Sequence, residues 1–304
     1  AGLGGAYSAA ADDAYAPVWN PAGLGALPST QLTGMHLDYS ESIAYEFVGV
    51  VHPLSAGSGL GVSAQYLHSG SAKARDAAGA DLGSFSSHYG VYSLAYGRAL
   101  SAAFSVGAAL KLVEAEIGDS SAQAYGGDLG AMYRFSPRLR VAAVAANLGG
   151  KLKFIEDGDS LPQVYRVGLL LSPTPSWSVL ADAGFSPDDS ARASVGAEWR
   201  PVPIAALRAG YHSDANRRVP GLTGLSTGVG IELYGQRFDY AWRPMGELGQ
   251  MQYFSLTLAF GSIARMTDSA RKLSAFLGLS VVAAVTTFFT LMIAAGVVGN
   301  LPRP

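Results

Sequence analysis

The stretch Tyr253 to Phe260, YFSLTLAF, decides the fold because its side chains alternate between two kinds. One set is apolar: Phe254, Leu256, Leu258 and Phe260. The other is small or carries a hydroxyl group: Tyr253, Ser255, Thr257 and Ala259. Successive side chains of a strand point to opposite faces of its sheet, so this pattern predicts a β-strand with one apolar face.

The same alternation recurs along most of the chain, in fourteen segments separated by turn residues. It is clear in the segment from 222, where Leu225, Val229 and Ile231 oppose Ser226 and Gly228. The predicted strands are 30–38, 43–53, 58–68, 85–98, 101–114, 121–135, 138–147, 162–171, 176–186, 191–200, 204–212, 222–234, 236–244 and 251–262.

The connections between these segments differ in length on alternate sides. Short ones are rich in Pro or Gly, as at Ser136-Pro137 and Gly235-Gln236, and longer polar ones include Ser69 to Ser84 and Leu148 to Leu161. Short turns on one rim and long loops on the other are typical of outer-membrane barrels, and strands of about 9 to 11 residues cross a bilayer. We therefore predict an all-β, 14-stranded antiparallel transmembrane β-barrel over 30–263. A secreted β-sandwich or propeller is the alternative.

The face opposite the apolar one carries charges of both signs, which the alternation directs into the lumen. We predict a mutually paired, hydrated network, and a charged translocation path is the sharper alternative. The predicted lumen charges are Asp128, Arg134, Arg166, Asp182, Arg192, Glu198, Arg208, Glu232, Arg237, Asp239 and Arg243, with His212 beside them.

Composition excludes several classes of function. The net charge is -2 and no basic run is present, so we predict no nucleic-acid partner. The absence of Cys removes thiol chemistry, and the five histidines show no metal-ligand spacing, so we predict no catalytic residues, no metal and no cofactor. His36 and Asp38 share a strand face and are interpreted as a hydrogen-bonded pair. The protein is predicted not to be an enzyme.

The stretch Ala11 to Gly25, ADDAYAPVWNPAGLG, precedes the first strand. Its acidic pair, Asp12-Asp13, followed by Asn20-Pro21-Ala22, resembles the N-terminal signature of the FadL superfamily of outer-membrane proteins, and is most similar to the PorV-like branch. The resemblance implies an N-terminal hatch, residues 1–29, folded into the lumen with the NPA motif inside it. For Asp12 and Asp13 two readings stay open: capping a helical turn or meeting lumen arginines, and binding a ligand or metal.

This chain differs in two ways from the fatty-acid-transporting members of the family that it resembles. The large extracellular loops of those members collect hydrophobic substrate. The longest loop of this chain is polar, so we do not expect it to capture such a substrate at the surface. Glycines at 57, 59 and 61 crowd the start of the third strand. They are compatible with a lateral exit through a distorted strand, or with a bend or bulge.

The second departure is the tail, 264–304. Phe260 suits the terminal aromatic that serves the family as an assembly signal, yet a polar link, 264–272, leads into an uncharged stretch from Leu273 to Val298 that is long enough for a transmembrane helix. This helix is expected to pack on the barrel, dock on a partner protein, or reach the inner membrane. Its predicted contact residues are Leu273, Phe276, Val281, Phe288, Phe289 and Leu291.

Two functions follow from this sequence. The first is a structural, partner-binding barrel of a secretion- or motility-type envelope complex, with other envelope proteins contacting the C-terminal helix or barrel wall. The alternative is a passive transporter of hydrophobic small molecules of fatty-acid type, with a hydrophobic ligand or detergent in the lumen. For both functions we expect outer-membrane lipid to surround the barrel. The chain starts at Ala1 without a signal sequence, so we expect a mature protein of the bacterial outer membrane with both barrel ends in the periplasm; a shortened chain is the alternative.

Overall fold

The computed structural model describes residues 1–39, 43–55, 57–154, 158–187, 189–213 and 223–260. The predicted helix from Leu273 to Val298 lies outside the described residues, as do the polar link before it and the predicted contact residues within it. Among the residues that are described, no helix has the length and hydropathy needed to cross a membrane.

The described residues form a closed antiparallel barrel of fourteen strands. Each barrel strand pairs with its neighbours along the chain, and the first strand closes against the last from Thr30 opposite Phe260 to Asp38 opposite Gln252. The strands are β1 (Thr30–Asp38), β2 (Ala44–Ser55), β3 (Ser58–Arg75), β4 (Asp81–Ala99), β5 (Phe104–Ile117), β6 (Ser120–Ser136), β7 (Leu139–Gly149), β8 (Lys151–Lys153), β9 (Gly158–Ser160), β10 (Val164–Thr174), β11 (Trp177–Ser186), β12 (Asp189–Val202), β13 (Ala205–His212), β14 (Leu225–Leu233), β15 (Gln236–Pro244) and β16 (Gln250–Phe260). The predicted barrel is therefore confirmed; β8 and β9 form a separate hairpin.

Some boundaries differ from the prediction. The predicted loop Ser69 to Ser84 is mostly strand, because β3 continues to Arg75 and β4 begins at Asp81. The predicted loop Leu148 to Leu161 contains the β8–β9 hairpin. We call the rim at which β1 begins and β16 ends the terminal rim, and the other one the opposite rim. Tight turns also occur on the opposite rim, at 118–119 between β5 and β6, so the asymmetry of connection lengths is only partial.

The apolar face of each strand points away from the lumen. Leu110 and Tyr125 are both 72% exposed, while Ala109 and Ala124 beside them are buried. A wall with this exposed apolar surface is stable only where hydrocarbon replaces water, as in a bilayer.

Residues 1–29, which we call the N-terminal segment, pack against the inner face of the wall. The segment contains a short α-helix, α1 (Ala16–Trp19), and a 3-10 helix, Pro21–Ala26. Its alanines 6, 11, 14, 16 and 22 are fully buried. The backbone hydrogen bonds of the segment to other backbone groups are all internal among the described residues, so side chains and close packing hold it to the wall.

Where the glycines crowd the start of the third strand, Gly57 lies in the turn with φ +81°, and the register of β2 with β3 shifts between Pro53 and Ser55. From Gly59 to His68, β3 keeps an unbroken register with both β2 and β4. Gly59 and Gly61 are approached by Leu24 and Pro17 of the N-terminal segment, which explains the glycines as points of close packing. A shift of register in the wall occurs between β6 and β7, beside Asp128, where Asn147 adopts φ +60°.

Candidate functional site

Four glycines on neighbouring strands form a flat platform on the inner wall. Gly59, Gly97, Gly107 and Gly130 pair in sequence across β3, β4, β5 and β6, so they lie in one row. A Cβ added to Gly107 would lie 2.3 Å from the carbonyl carbon of Pro21, and one on Gly97 would lie 2.3 Å from the Pro21 oxygen. These positions accept only glycine because the 3-10 helix rests directly on the wall backbone.

Asn20 fixes the start of this 3-10 helix. Its Oδ1 accepts a hydrogen bond from the Ala22 amide at 3.1 Å, and its Nδ2 donates to the Ser8 carbonyl at 3.0 Å. The side chain is fully buried, and its Oδ1 would lie 2.1 Å from a Cβ on Gly130. Asn20 therefore caps the helix, joins two parts of the segment and rests on the glycine row.

Asp13 is the main charged contact between the N-terminal segment and the wall. Its Oδ2 accepts from Arg237 Nη2 at 3.0 Å and from the Tyr7 hydroxyl at 2.6 Å. Its Oδ1 accepts from the Tyr15 amide at 3.0 Å. Burial and the Asp13 carboxylate raise the pKa of the Tyr7 phenol well above its usual value, so the hydroxyl remains a donor.

From Asp13, charged pairs continue along the wall. Arg237 also lies 3.0 Å from Asp239, and Arg208 bridges Asp239 and Glu198 at 2.6 Å each. Arg200 contacts Glu198 at 2.8 Å and reaches the exposed Glu232 at 3.7 Å. Three arginines and four acids thus form a continuous series of ion pairs from Asp13 to the terminal rim. Each member contacts two partners, except the acids at the two ends, Asp13 and Glu232.

Two further contacts attach the segment elsewhere. Arg140 donates to Asp12 at 2.8 Å. On β11, Asp182 Oδ2 accepts from the Ser8 hydroxyl at 2.6 Å, from the Ser8 amide at 3.0 Å and from the Tyr7 amide at 3.2 Å. Both acids of the Asp12-Asp13 pair therefore meet wall arginines in this structure.

A separate buried pair stabilises the shift of register in the wall. Lys111 Nζ lies 2.7 Å from Asp128, and the same ammonium donates to Asn147 Oδ1 at 2.9 Å. Asp128 in turn accepts from the Asn147 amide at 2.8 Å. This carboxylate thus holds the Asn147 backbone, and the lysine neutralises it.

The remaining predicted residues lie apart from these contacts. Arg134 is exposed on the terminal rim. Arg166, Arg192 and Arg243 lie nearer the opposite rim; the Arg166 guanidinium carbon stands 5.2 Å from the ring centre of Trp19. Phe260 is exposed and ends the described chain. The interpretation of His36 and Asp38 as a pair is wrong: in β1 and β2, His36 Nδ1 lies 2.6 Å from Glu46.

The site residues predicted from the sequence do not include Arg140, Lys111, Arg200 or the glycine row. Arg140 lies at the start of β7. Small and apolar residues occupy both faces of this strand, so alternation does not show which face points into the lumen. The four glycines are far apart in sequence, and their alignment depends on strand register.

A cavity of about 1030 Å³ lies between the N-terminal segment and the wall. Residues 1–7 and several residues from 10 to 19 line it, whereas none of residues 20–27 does. Charged side chains of both signs line this cavity, and the partners of two of the basic ones, Asp128 of Lys111 and Glu232 of Arg200, lie outside the lining. The lining charges are Lys111, Arg166, Arg192, Arg200, Arg208, Arg237 and Arg243, with Asp12, Asp13, Asp182, Glu198 and Asp239.

A closed 14-stranded barrel with an apolar outer wall, a charged lumen and an inner N-terminal segment has the architecture of an outer-membrane β-barrel. Among solved structures, CymD, described as a monoaromatic hydrocarbon channel, matches with a TM-score of 0.61 and 15% identity over 85% of this chain and 96% of CymD. The Pseudomonas putida toluene transporter TodX gives 0.54 and 14% over 80% and 91%, and a Pseudomonas aeruginosa FadL homologue gives 0.57 and 13% over 84% and 96%.

No protein-family model and no curated protein matches the sequence. At these identities the structural matches establish the fold, which is that of FadL-type barrels. They provide no support for the narrower resemblance to a PorV-like branch.

Proposed function

We propose that this protein is a passive transporter of small molecules across the bacterial outer membrane, with the N-terminal segment acting as a hatch that shifts to open the path. The observation that carries the proposal is the way this segment is held. Residues 1–19 lie beside a cavity of about 1030 Å³ and are held by side-chain hydrogen bonds and by close packing on wall glycines, without strand pairing to the wall in the described part of the chain. Such a segment can move without breaking the barrel.

The fold supports the transporter over the partner-binding alternative. CymD and TodX, the structural neighbours above, are described as a hydrocarbon channel and a toluene transporter. The PorV-like resemblance rests on the acidic pair and the NPA motif, and the partner-binding function on the polar loops and on the C-terminal stretch, which lies outside the described residues. The outer-membrane location and the periplasmic side of the terminal rim belong to the same proposal.

A disulfide lock tests whether the segment must move. A Cβ on Gly168 would lie 2.9 Å from the Ser8 Cβ, shorter than the separation of about 3.5 to 4.5 Å in disulfides, so the link forms after a small shift of the segment away from β10. Because the chain has no cysteine, the pair Ser8→Cys and Gly168→Cys forms one defined link between the segment and β10.

Uptake of a small aromatic probe is measured in Gram-negative cells that express the barrel, against cells carrying an empty vector. We expect the oxidised double variant to fall to the vector rate and to recover after reduction. Each single-cysteine variant is the control for the loss of one native side chain. Wild-type uptake equal to that of the vector, or full uptake by the locked protein, would contradict the proposal.

A further inference from the structure

The series of ion pairs that begins at Asp13 forms one side of the cavity. All of its members except the last, Glu232, line the cavity. The side chains of its three arginines are partly exposed, from 13% at Arg208 to 36% at Arg200. A solute in the cavity can therefore reach these charged groups without displacing the wall.

Positive and negative groups alternate along this side. Asp239 lies between Arg237 at 3.0 Å and Arg208 at 2.6 Å. Arg208 is in turn 2.6 Å from Glu198. A single cation or anion placed here would also lie next to a group of its own sign, which is unfavourable. A solute with both charges can instead place its ammonium on an acid and its carboxylate on the neighbouring arginine, so the alternation favours a zwitterion over an ion of either sign.

Aromatic side chains form the adjoining side of the cavity. Tyr15 of the N-terminal segment stacks on Phe47 of β2, with 5.0 Å between the ring centres. Tyr45 on β2 and Tyr253 on β16 line the same cavity. Aromatic rings bury a large apolar area against another ring and add a stacking contribution to it. This side can therefore hold an aromatic group of a solute.

The sheet register brings the ionic and the aromatic side together. Four cavity-lining residues are direct partners across four neighbouring strands: Asp239 on β15, Ser255 on β16, Met35 on β1 and Phe47 on β2. Neighbouring strands lie about 4.8 Å apart. The Tyr15 side chain bonds that of Ser255 as well as stacking on Phe47, so its ring begins about one strand spacing from Asp239.

The next row of the sheet has the same arrangement. Arg208 on β13 and Tyr253 on β16 are separated in it by Gly228 and Ala241. Gly2 of the N-terminal segment lies on Gly228 and also has no side chain. In this row, which lies wholly within the described strands, no large side chain separates Arg208 from Tyr253.

We infer that this part of the cavity is a binding site for small aromatic zwitterions of the amino-acid type. The ammonium group binds Asp239, the carboxylate binds Arg208, and the ring packs against Tyr15 and Tyr253. This inference rests on the proposed function, because it names the substrate class that the transporter takes. It differs from the hydrocarbon named for CymD. Exchange of partners within the ion-pair series lets such a solute bind without leaving an unpaired charge in the lumen.

Binding to the purified, detergent-solubilised protein tests the inference separately from transport. Isothermal titration calorimetry at neutral pH compares phenylalanine with its amide, which lacks the carboxylate, and with N-acetylphenylalanine, which lacks the ammonium. We expect phenylalanine to bind at least about tenfold more tightly than either derivative, the equivalent of one charge-assisted hydrogen bond. Alanine keeps both charges but has no ring, and is also expected to bind more weakly than phenylalanine.

Two variants separate the roles of the two charges. Asp239→Asn is expected to weaken binding of phenylalanine and of its amide about tenfold, with no loss for N-acetylphenylalanine. Arg208→Gln is expected to weaken binding of phenylalanine and of N-acetylphenylalanine about tenfold, with no loss for the amide. Tyr253→Ala removes ring surface and should weaken binding of phenylalanine but not of alanine. Arg134→Gln lies outside the cavity lining and should bind all four ligands like wild type.

Heat-modifiable gel migration confirms that each variant is folded, and the ligand series on the wild-type protein tests the inference without any variant. Phenylalanine affinity within about twofold of that for the amide and for N-acetylphenylalanine overturns the inference. Charge variants that weaken all four ligands alike, or a wild-type protein that does not bind phenylalanine, also overturn it. The uptake and disulfide-lock experiment decides the transporter proposal independently, since calorimetric binding does not enter it.

Discussion

Neutralising Asp13 is expected to loosen the stretch of the N-terminal segment around Asp13. Asp13→Asn keeps the shape of the side chain but removes the charge that faces Arg237 at 3.0 Å and the Tyr7 hydroxyl at 2.6 Å. A hydrogen bond to a charged group contributes about 1.5 to 3 kcal/mol. Because the Arg237 side chain is 24% exposed and keeps Asp239 as a partner, we take the lower end, about 2 kcal/mol.

That loss increases the released population roughly 30-fold, since about 1.4 kcal/mol corresponds to a factor of ten. A single cysteine at Ala14, which is fully buried, reports the release through its rate of labelling by a water-soluble maleimide. We expect the labelling rate of Ala14→Cys to rise by this factor when Asp13→Asn is added. Ala22→Cys, beside the glycine row, is the matched reporter that should not respond.

The double variant Asp13→Asn with Arg237→Gln separates this pair from general destabilisation. If the two side chains act through each other, the second change adds little to the first. Labelling at Ala14 within about twofold of the parent, or effects of the two changes that are simply additive, would refute the reasoning.

Three further changes have defined outcomes. Gly107→Val places a side chain against the Pro21 backbone and should lower the free energy of unfolding by about 1 to 3 kcal/mol, measured by urea titration. Gly184→Ala is the control and should be neutral, because its added Cβ has no neighbour nearer than 3.6 Å. Asn20→Ala removes the cap at Ala22 and the bond to the Ser8 carbonyl, costing about 1 to 2 kcal/mol by the same titration. Asn20→Ser keeps an uncharged acceptor for the Ala22 amide and should recover part of it, and equal losses would contradict the capping role. Lys111→Met leaves the Asp128 carboxylate buried and uncompensated at a cost of about 3 to 5 kcal/mol, seen as loss of heat-modifiable migration at lower temperature. Asp128→Asn in the same chain removes the charge but keeps an acceptor for the Asn147 amide, and should restore most of it.

The barrel follows from the sequence because each strand contains its own signal. Leu225, Val229 and Ile231 point outward as their alternation predicts, since a period of two assigns a face without knowledge of any neighbour. Beyond His68 the residues are small and polar, so the sequence predicts a loop there. There the backbone pairing of β3 with β4 continues without an apolar pattern to reveal it.

Contacts across the lumen were harder to predict, because they depend on which residues share a row. Gly59, Gly97, Gly107 and Gly130 become one surface only when four strands are placed in register. Turn lengths and bulges set that register, and sequence alternation is insensitive to a shift of two residues. The partner of Asp12 was missed for a related reason: Arg140 lies at the start of a strand whose two faces are both small or apolar.

The two ways of holding the N-terminal segment explain why the cavity lies where it does. Residues 20–25 touch the backbone of β3 to β6 across the glycine row, so no solvent-sized space remains between them and the wall. The preceding residues also touch the wall backbone, because Leu3 and Gly4 approach Gly196 and Gly210 equally closely. Unlike residues 20–25, however, they meet β11 and β15 through charged side chains as well, those of Asp182 and Arg237. The cavity lies beside these ionic contacts. Loss of the pair between Asp13 and Arg237 would therefore loosen the residues around Asp13, while Asn20 and Pro21 stay in place on the glycine row.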